Sequence, residues 1–142
     1  MKKSIALFGI ATFAVLLTTG CGGKTKLVCT QKESGVDIEF NVGFNGNKVE
    51  SLDFNYDMDL SKYSDSQIKL IEKRDFCSLV KLSMSGYKDA FTGCKQNVVK
   101  KHLKVVSKLD IDKIAKSEKD KLTSVDEAKK ALEKQGYKCV KK

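Results

Sequence analysis

The sequence predicts an α+β fold: an antiparallel sheet of about five strands, in the order βββ-α-ββ-α, with helices packed on one face. Three observations carry that expectation. "GVDIEFNVGFNGNKVESLDFNYDMDL" alternates apolar and polar residues with period two, as a half-buried strand pair does. "SDSQIKLIEKRDFCSLVKLSMSGYKD" carries a broad apolar stripe at helical spacing: Ile68, Ile71, Phe76, Leu79, Val80, Met84 and Tyr87. Ser64 with Gln67, and Ser124 with Glu127, have the spacing of helix capping boxes.

The chain begins with a segment that is not part of that fold. Met1-Lys2-Lys3 is a basic head, and Ser4 to Leu17 is an uncharged, mostly apolar run of 14 residues. A membrane-spanning helix wants roughly 20 apolar residues, whereas the apolar region of a secretory signal needs about 7–15. Thr18-Thr19-Gly20 then supplies the small residues a signal peptidase accepts, so residues 1–20 read as an export signal. "LTTGC" resembles the lipobox of bacterial lipoproteins, whose cysteine thiol receives diacylglycerol and becomes the first residue of the mature chain. Leu17 stands one place further from the cysteine than in the usual pattern, and Thr18 takes its slot. The alternative is an ordinary signal peptide with Cys21 a free thiol. The Gly20-Cys21 junction, and "GGK" after it as a flexible tether, favour lipidation. Two acyl chains hold a protein stably at a bilayer where one does not. The expected organisation is therefore a lipoprotein signal peptide at 1–20, a tether at 21–26 and one globular domain at 27–142. Its expected location is the outer face of a cell membrane, with Cys21 as the lipidation site.

Removing residues 1–20 leaves 122, enough for one domain with a real core. The mature chain has 25 basic residues (27 less Lys2 and Lys3) and 18 acidic ones, a net +7. Arg74 is the only arginine, and lysine lacks the planar fork that suits phosphates and base edges. The basicity therefore reads as a solubilising surface, with no nucleic-acid partner. Residues 33–65 hold eight acidic residues against Lys48 and Lys62, a local −6, whereas residues 66–142 carry 20 basic and 10 acidic residues, a local +10. This asymmetry suits internal neutralisation or a two-faced surface.

Along the domain, "KLVCTQK" is a short strand that opens the fold. In the hairpin that follows, Val36, Ile38, Phe40 and Val42 face one way, with Leu52, Phe54, Tyr56 and Met58 returning. A three-residue loop, Asn45-Gly46-Asn47, sets Phe40 opposite Leu52 and Ile38 opposite Phe54; a two-residue Asn45-Gly46 turn breaks the apolar match. The same register sets Glu39 against Asp53 on the outer face. Like charges there need a lysine-rich neighbouring strand or a bound cation. One helix is expected from the Ser64 cap to about Gly86. "GCKQNVV" and "HLKVVSKLDI" read as two strands around a Lys100-Lys101 turn, with Leu103, Val105, Leu109 and Ile111 in the core. A short helix is placed over Lys113 to Lys121, and the last helix runs from Ser124 to a stop at Gly136.

Cys29, Cys77, Cys94 and Cys139 remain after Cys21, an even number in a compartment that permits oxidation. Spacing alone does not choose among their three pairings, and topology favours Cys29–Cys139 with Cys77–Cys94. None forms the Cys-x-x-Cys of a thiol-redox site, and zinc-type paired ligands are missing, with His102 the only histidine. His102 reads as a solvated turn residue instead of a general base. Asp57 and Asp59 in "DMD" fall short of the oxygen set of a calcium loop and read as a solvated strand end. No catalytic residue, metal site or cofactor is expected, and the chain reads as no enzyme. Lys100, Lys104 and Lys108 are the candidates for holding an anionic envelope polymer, against the plainer role of neutralising the Glu39/Asp53 face.

Assembled, these residues resemble the small bacterial lipoproteins of unknown function related to YehR. The resemblance rests on the lipobox cysteine, "LVCTQK", "YDMDLSKYSD" and the closing "AKKALEKQGYKC", and spans most of residues 21–142. It implies an antiparallel sheet with helices, surface anchoring, no assigned activity and a Cys29–Cys139 pair.

Overall fold

A computed structural model describes residues 23–142; the signal segment and Cys21 lie outside the described residues. The architecture is a six-stranded antiparallel sheet with four helices, an α+β fold. The chain runs β1 (Lys24–Glu33), β2 (Val36–Asn45), β3 (Lys48–Asp59), α1 (Asp65–Glu72), α2 (Phe76–Ser83), β4 (Phe91–Val99), β5 (His102–Leu109), α3 (Lys116–Lys119), α4 (Val125–Lys134) and β6 (Lys138–Lys141). In space the strands lie in the order β4-β5-β3-β2-β1-β6. β1 starts at Lys24, inside the stretch read as tether, and pairs with β2 over its whole length.

The β2–β3 hairpin keeps the expected faces and changes the partners. Asn45 pairs with Lys48 around a two-residue Gly46-Asn47 turn, and a bulge at Glu50 then shifts the register by one. Phe40 therefore faces Phe54 instead of Leu52, Ile38 faces Tyr56, and Val42 faces Leu52. The expected register differs from this by two residues, an even slip that leaves every apolar side chain on the core face. The Gly46-Asn47 turn and the bulge each supply one residue of that slip, in the same direction.

One expected helix is two. α1 begins at the Ser64 capping box, where the Gln67 N–H reaches Ser64 Oγ at 3.4 Å and Ser64 N–H donates to Gln67 Oε1 at 2.9 Å. It ends at Glu72, and Asp75 starts α2 by accepting from the Ser78 N–H at 3.0 Å. The break turns the apolar stripe: Ile68 and Val80 are buried, while Leu79 is half exposed. Between Lys113 and Lys121 the expected helix is one turn, α3, flanked by 3-10 turns at Ile111–Lys113 and Asp120–Leu122. α4 follows from Ser124, whose Oγ accepts from the Glu127 N–H. β6 is the strand beyond the five expected.

Leu27, Phe40, Val42, Phe44, Leu52, Phe54, Leu103 and Val105 form the sheet's share of the core, and Ile68, Val80, Ala128 and Leu132 from the helices join the same cluster. Ile111 packs against it half-buried. Both disulfides have the favoured pairing. Cys29–Cys139 links directly opposed residues of β1 and β6, and Cys77–Cys94 ties α2 to β4. The chain turns back between Met84 and Ala90, as the second bridge requires. At the β4–β5 turn, Lys100 and Lys101 both have positive φ, 49° and 61°. That conformation suits Asn-Gly, and lysine takes it at a cost of about 1 kcal/mol or more per residue.

Candidate functional site

The two faces of the sheet offer different surroundings. On the open face, Asn41 and Asn55 both donate to Glu39 Oε1, at 2.6 and 3.1 Å. Glu39 faces Asn55, not Asp53, and the directly opposed acidic pair is Asp37–Asp57. Its compensation is the lysine-bearing strand: Lys104 Nζ lies 3.7 Å from Asp57 Oδ2, and Lys32 approaches Asp37 at 3.1 Å. His102 is no free turn residue. It opens β5, with Nδ1 2.7 Å from Asp57 Oδ1. Lys108 stands across from Asp53, and Lys100 occupies the turn. Asp59 accepts from the Ser61 N–H at 2.8 Å, which holds its carboxyl below the usual aspartate range. Among the described residues, no group of three or more His, Cys, Asp or Glu is placed to hold a metal ion. Lys26, Lys95 and Lys108 border a polar concavity of about 800 Å³ on this face, with Glu39 and Asp53 in its lining.

The helical face holds a cleft of about 400 Å³, a size that suits a small ligand. Its sheet wall consists of the cross-strand pairs Phe40–Phe54 and Ile38–Tyr56, which the β2–β3 register places side by side. The C-terminal end of α2 contributes Val80, Ser83 and Met84, and the following turn adds Gly86 and Tyr87. α3 supplies Glu118, and α4 with its exit supplies Leu132, Gln135 and Tyr137. Phe40 gathers the aromatic rings: its centroid lies 5.3 Å from Phe54, 5.4 Å from Tyr137 and 6.4 Å from Tyr87. Aromatic pairs at such separations are mutually favourable beyond their buried area.

One polar cluster interrupts these walls. The Tyr87 hydroxyl donates to Glu118 Oε2 at 3.2 Å, and Lys121 Nζ donates to Glu118 Oε1 at 2.8 Å. The Glu118 side chain keeps 18% of its surface exposed, so it is enclosed but not sealed. The loop beneath it is fixed, since the Ala115 N–H donates to the Gly86 carbonyl at 3.0 Å. A methyl group at Gly86 would collide with Glu118 Cγ, so glycine is what lets α3 approach this closely. Burial is the main reason the Tyr87 hydroxyl resists ionisation far more than a free tyrosine, with the adjacent Glu118 adding to the effect. Burial also raises Tyr137 and Tyr56 above their ordinary value of 10.0.

The arrangement can enclose an apolar body and present acceptors to one end of it. Sequence reasoning did not single out Glu118 or Gln135, and it read Tyr87 and Tyr56 as core. Their common location depends on five separate elements meeting, and no local pattern announces it. The four domain cysteines lie apart from the cleft's lining, and the described helices include none long and apolar enough to cross a membrane. No family model matches the chain, and neither a curated protein nor a solved structure matches it.

Proposed function

We propose that the chain is a lipid-anchored lipoprotein, akin to those related to YehR, whose domain works as a non-catalytic binding module outside the cytoplasm. The observation that carries the binding role is the preformed cleft between sheet and helices, whose aromatic and aliphatic walls are interspersed with the polar groups of Ser83, Ser85, Glu118 and Gln135. Two disulfides support an oxidising location, because such bridges persist where thiols are not kept reduced. Cys21 is the anchor in this reading, and the membrane is its first partner. Intact mass measurement of the membrane fraction should find a diacylglyceryl increment that disappears in Cys21→Ala. Native mass spectrometry of the full chain drawn from its own membranes should release a small molecule, lost when Ser83→Trp fills the cleft. An unmodified Cys21 overturns the anchor, and an empty wild-type cleft overturns the binding role.

A second reading has support from the open face, where Lys26, Lys95 and Lys108 border the polar concavity. There the domain would act as an electrostatic adaptor for an anionic envelope polymer. Such binding falls steeply with added salt, and salt-insensitive retention on a polyanion removes this reading.

A further inference from the structure

We propose that the cleft on the helical face is a site for a small organic cation, an ammonium group carried on an apolar body. The inference rests on reading that cleft as a binding site, and it adds the chemical class of the occupant. Its first support is the sign of the charge. Of 14 lining residues, Glu118 alone carries a formal charge, in a chain with 27 basic residues and a net charge of +9. The one charged group facing into the cleft is thus negative, and its counter-ion, Lys121, stands outside the lining. An anion entering there meets a carboxylate with no lysine in the lining; a cation meets its counter-charge.

The second support is the material beside that carboxylate. Tyr87 is bonded to Glu118, and the Phe40 ring lies 6.4 Å from Tyr87 and 5.4 Å from Tyr137, so a series of three rings leads through the cleft from the carboxylate. Aromatic faces are negative and attract ammonium groups, more strongly once water is excluded. The Tyr87 hydroxyl donates a hydrogen bond to a carboxylate, which leaves its ring richer in electron density.

The third support is preorganisation. Glu118 is held by Tyr87 on one oxygen and Lys121 on the other, and Gly86 gives it room. A carboxylate offers about four lone-pair sites, so two bonds leave acceptors free. Lys121 is the half-exposed outer partner and does not line the cleft. It competes with an incoming ammonium for the same charge, which limits selectivity and supplies a test.

Full chain reconstituted in phosphatidylglycerol vesicles, with protein-free vesicles as the blank, is titrated with three probes of similar shape. They are choline, its uncharged tert-butyl analogue dimethylbutanol, and the anion tert-butylacetate. Choline is expected to bind about tenfold tighter than dimethylbutanol, and tert-butylacetate weakest. Glu118→Gln should bring choline down to the level of dimethylbutanol. Lys121→Gln should tighten choline alone, which a purely structural role for Glu118 would not produce. Equal affinity of wild type for choline and dimethylbutanol overturns the cation inference and leaves the cleft a binding site. If no probe moves the ring signals of Tyr87 and Tyr137 in nuclear magnetic resonance spectra, both readings fall. The wild-type comparison decides on its own, so a variant that fails to fold does not shelter the proposal.

Discussion

Removing the two disulfides separately should reveal a difference set by loop length. Cys29–Cys139 spans 110 positions and Cys77–Cys94 spans 17. On the chain-entropy relation, closing the first loop in the unfolded chain is worth about 4.8 kcal/mol and the second about 3.1 kcal/mol. The smaller loop lies inside the larger one, which shortens the effective outer loop to 110 − 17 = 93 positions. That correction lowers the outer term by only about 0.1–0.2 kcal/mol, so the two losses should nearly add. Burial pushes the same way: Cys29 and Cys139 are in the core, whereas Cys77 and Cys94 are half-buried at its margin. The paired changes Cys29→Ala/Cys139→Ala and Cys77→Ala/Cys94→Ala are compared with wild type by urea unfolding, read by circular dichroism. With a slope of roughly 2 kcal/mol per molar urea, the midpoints should fall by about 2.4 and about 1.6 M. A domain of ordinary stability, about 5–15 kcal/mol, would be left marginal by the first change. If the inner pair costs as much as the outer, loop closure is not what these bridges contribute.

Three further outcomes are expected. The half-buried Tyr56, Tyr87 and Tyr137 have raised folded-state values, so the unfolded chain ionises first, and their stability contribution is complete below about pH 10 and lost as pH rises further. Tyr87→Phe should flatten that alkaline decline while costing about 1 kcal/mol at neutral pH, checked by denaturation at a series of pH values. Phe40→Ala, which removes the ring touching Phe54, Tyr87 and Tyr137, should cost about 3–5 kcal/mol in urea unfolding. Asp75 accepts two hydrogen bonds from Ser78, which depress its carboxyl, so its contribution is present above the ordinary value of 3.8 and lost as pH falls through the depressed one. Asp75→Ala should speed hydrogen exchange in the first turn of α2 and remove that acid dependence.

The features legible in the sequence are those whose cause is local. Period-two alternation located β2 and β3, Ser64 and Ser124 announced their caps, and the Lys100-Lys101 turn fell where expected. The bulge at Glu50 leaves one mark only, a break in the alternation: Val49 and Leu52 are three apart and both pack on the core. The break at Lys73-Arg74-Asp75 contains no proline or glycine; it depends on Asp75 serving as a cap, and Gln96 of β4 accepts from the N–H groups of Phe76 and Cys77. β6 has four residues with Cys139 alone buried, so its strand character comes from β1, a partner more than a hundred positions away. The cleft is harder still to read, since Tyr56, Tyr87 and Tyr137 satisfy core patterns and Glu118 lies on a single helical turn.

The bond between the first and last strands also determines how the domain would respond to being pulled. Lys26 and Lys142 exchange backbone hydrogen bonds, so the described chain ends leave side by side, just outside the sulfur link. Tension applied between Gly23 and Lys142 would peel only residues 23–28 and 140–142 before a covalent stop, an extension of about 30 Å. Everything from Thr30 to Lys138, cleft included, sits in a closed ring that such a load cannot stretch.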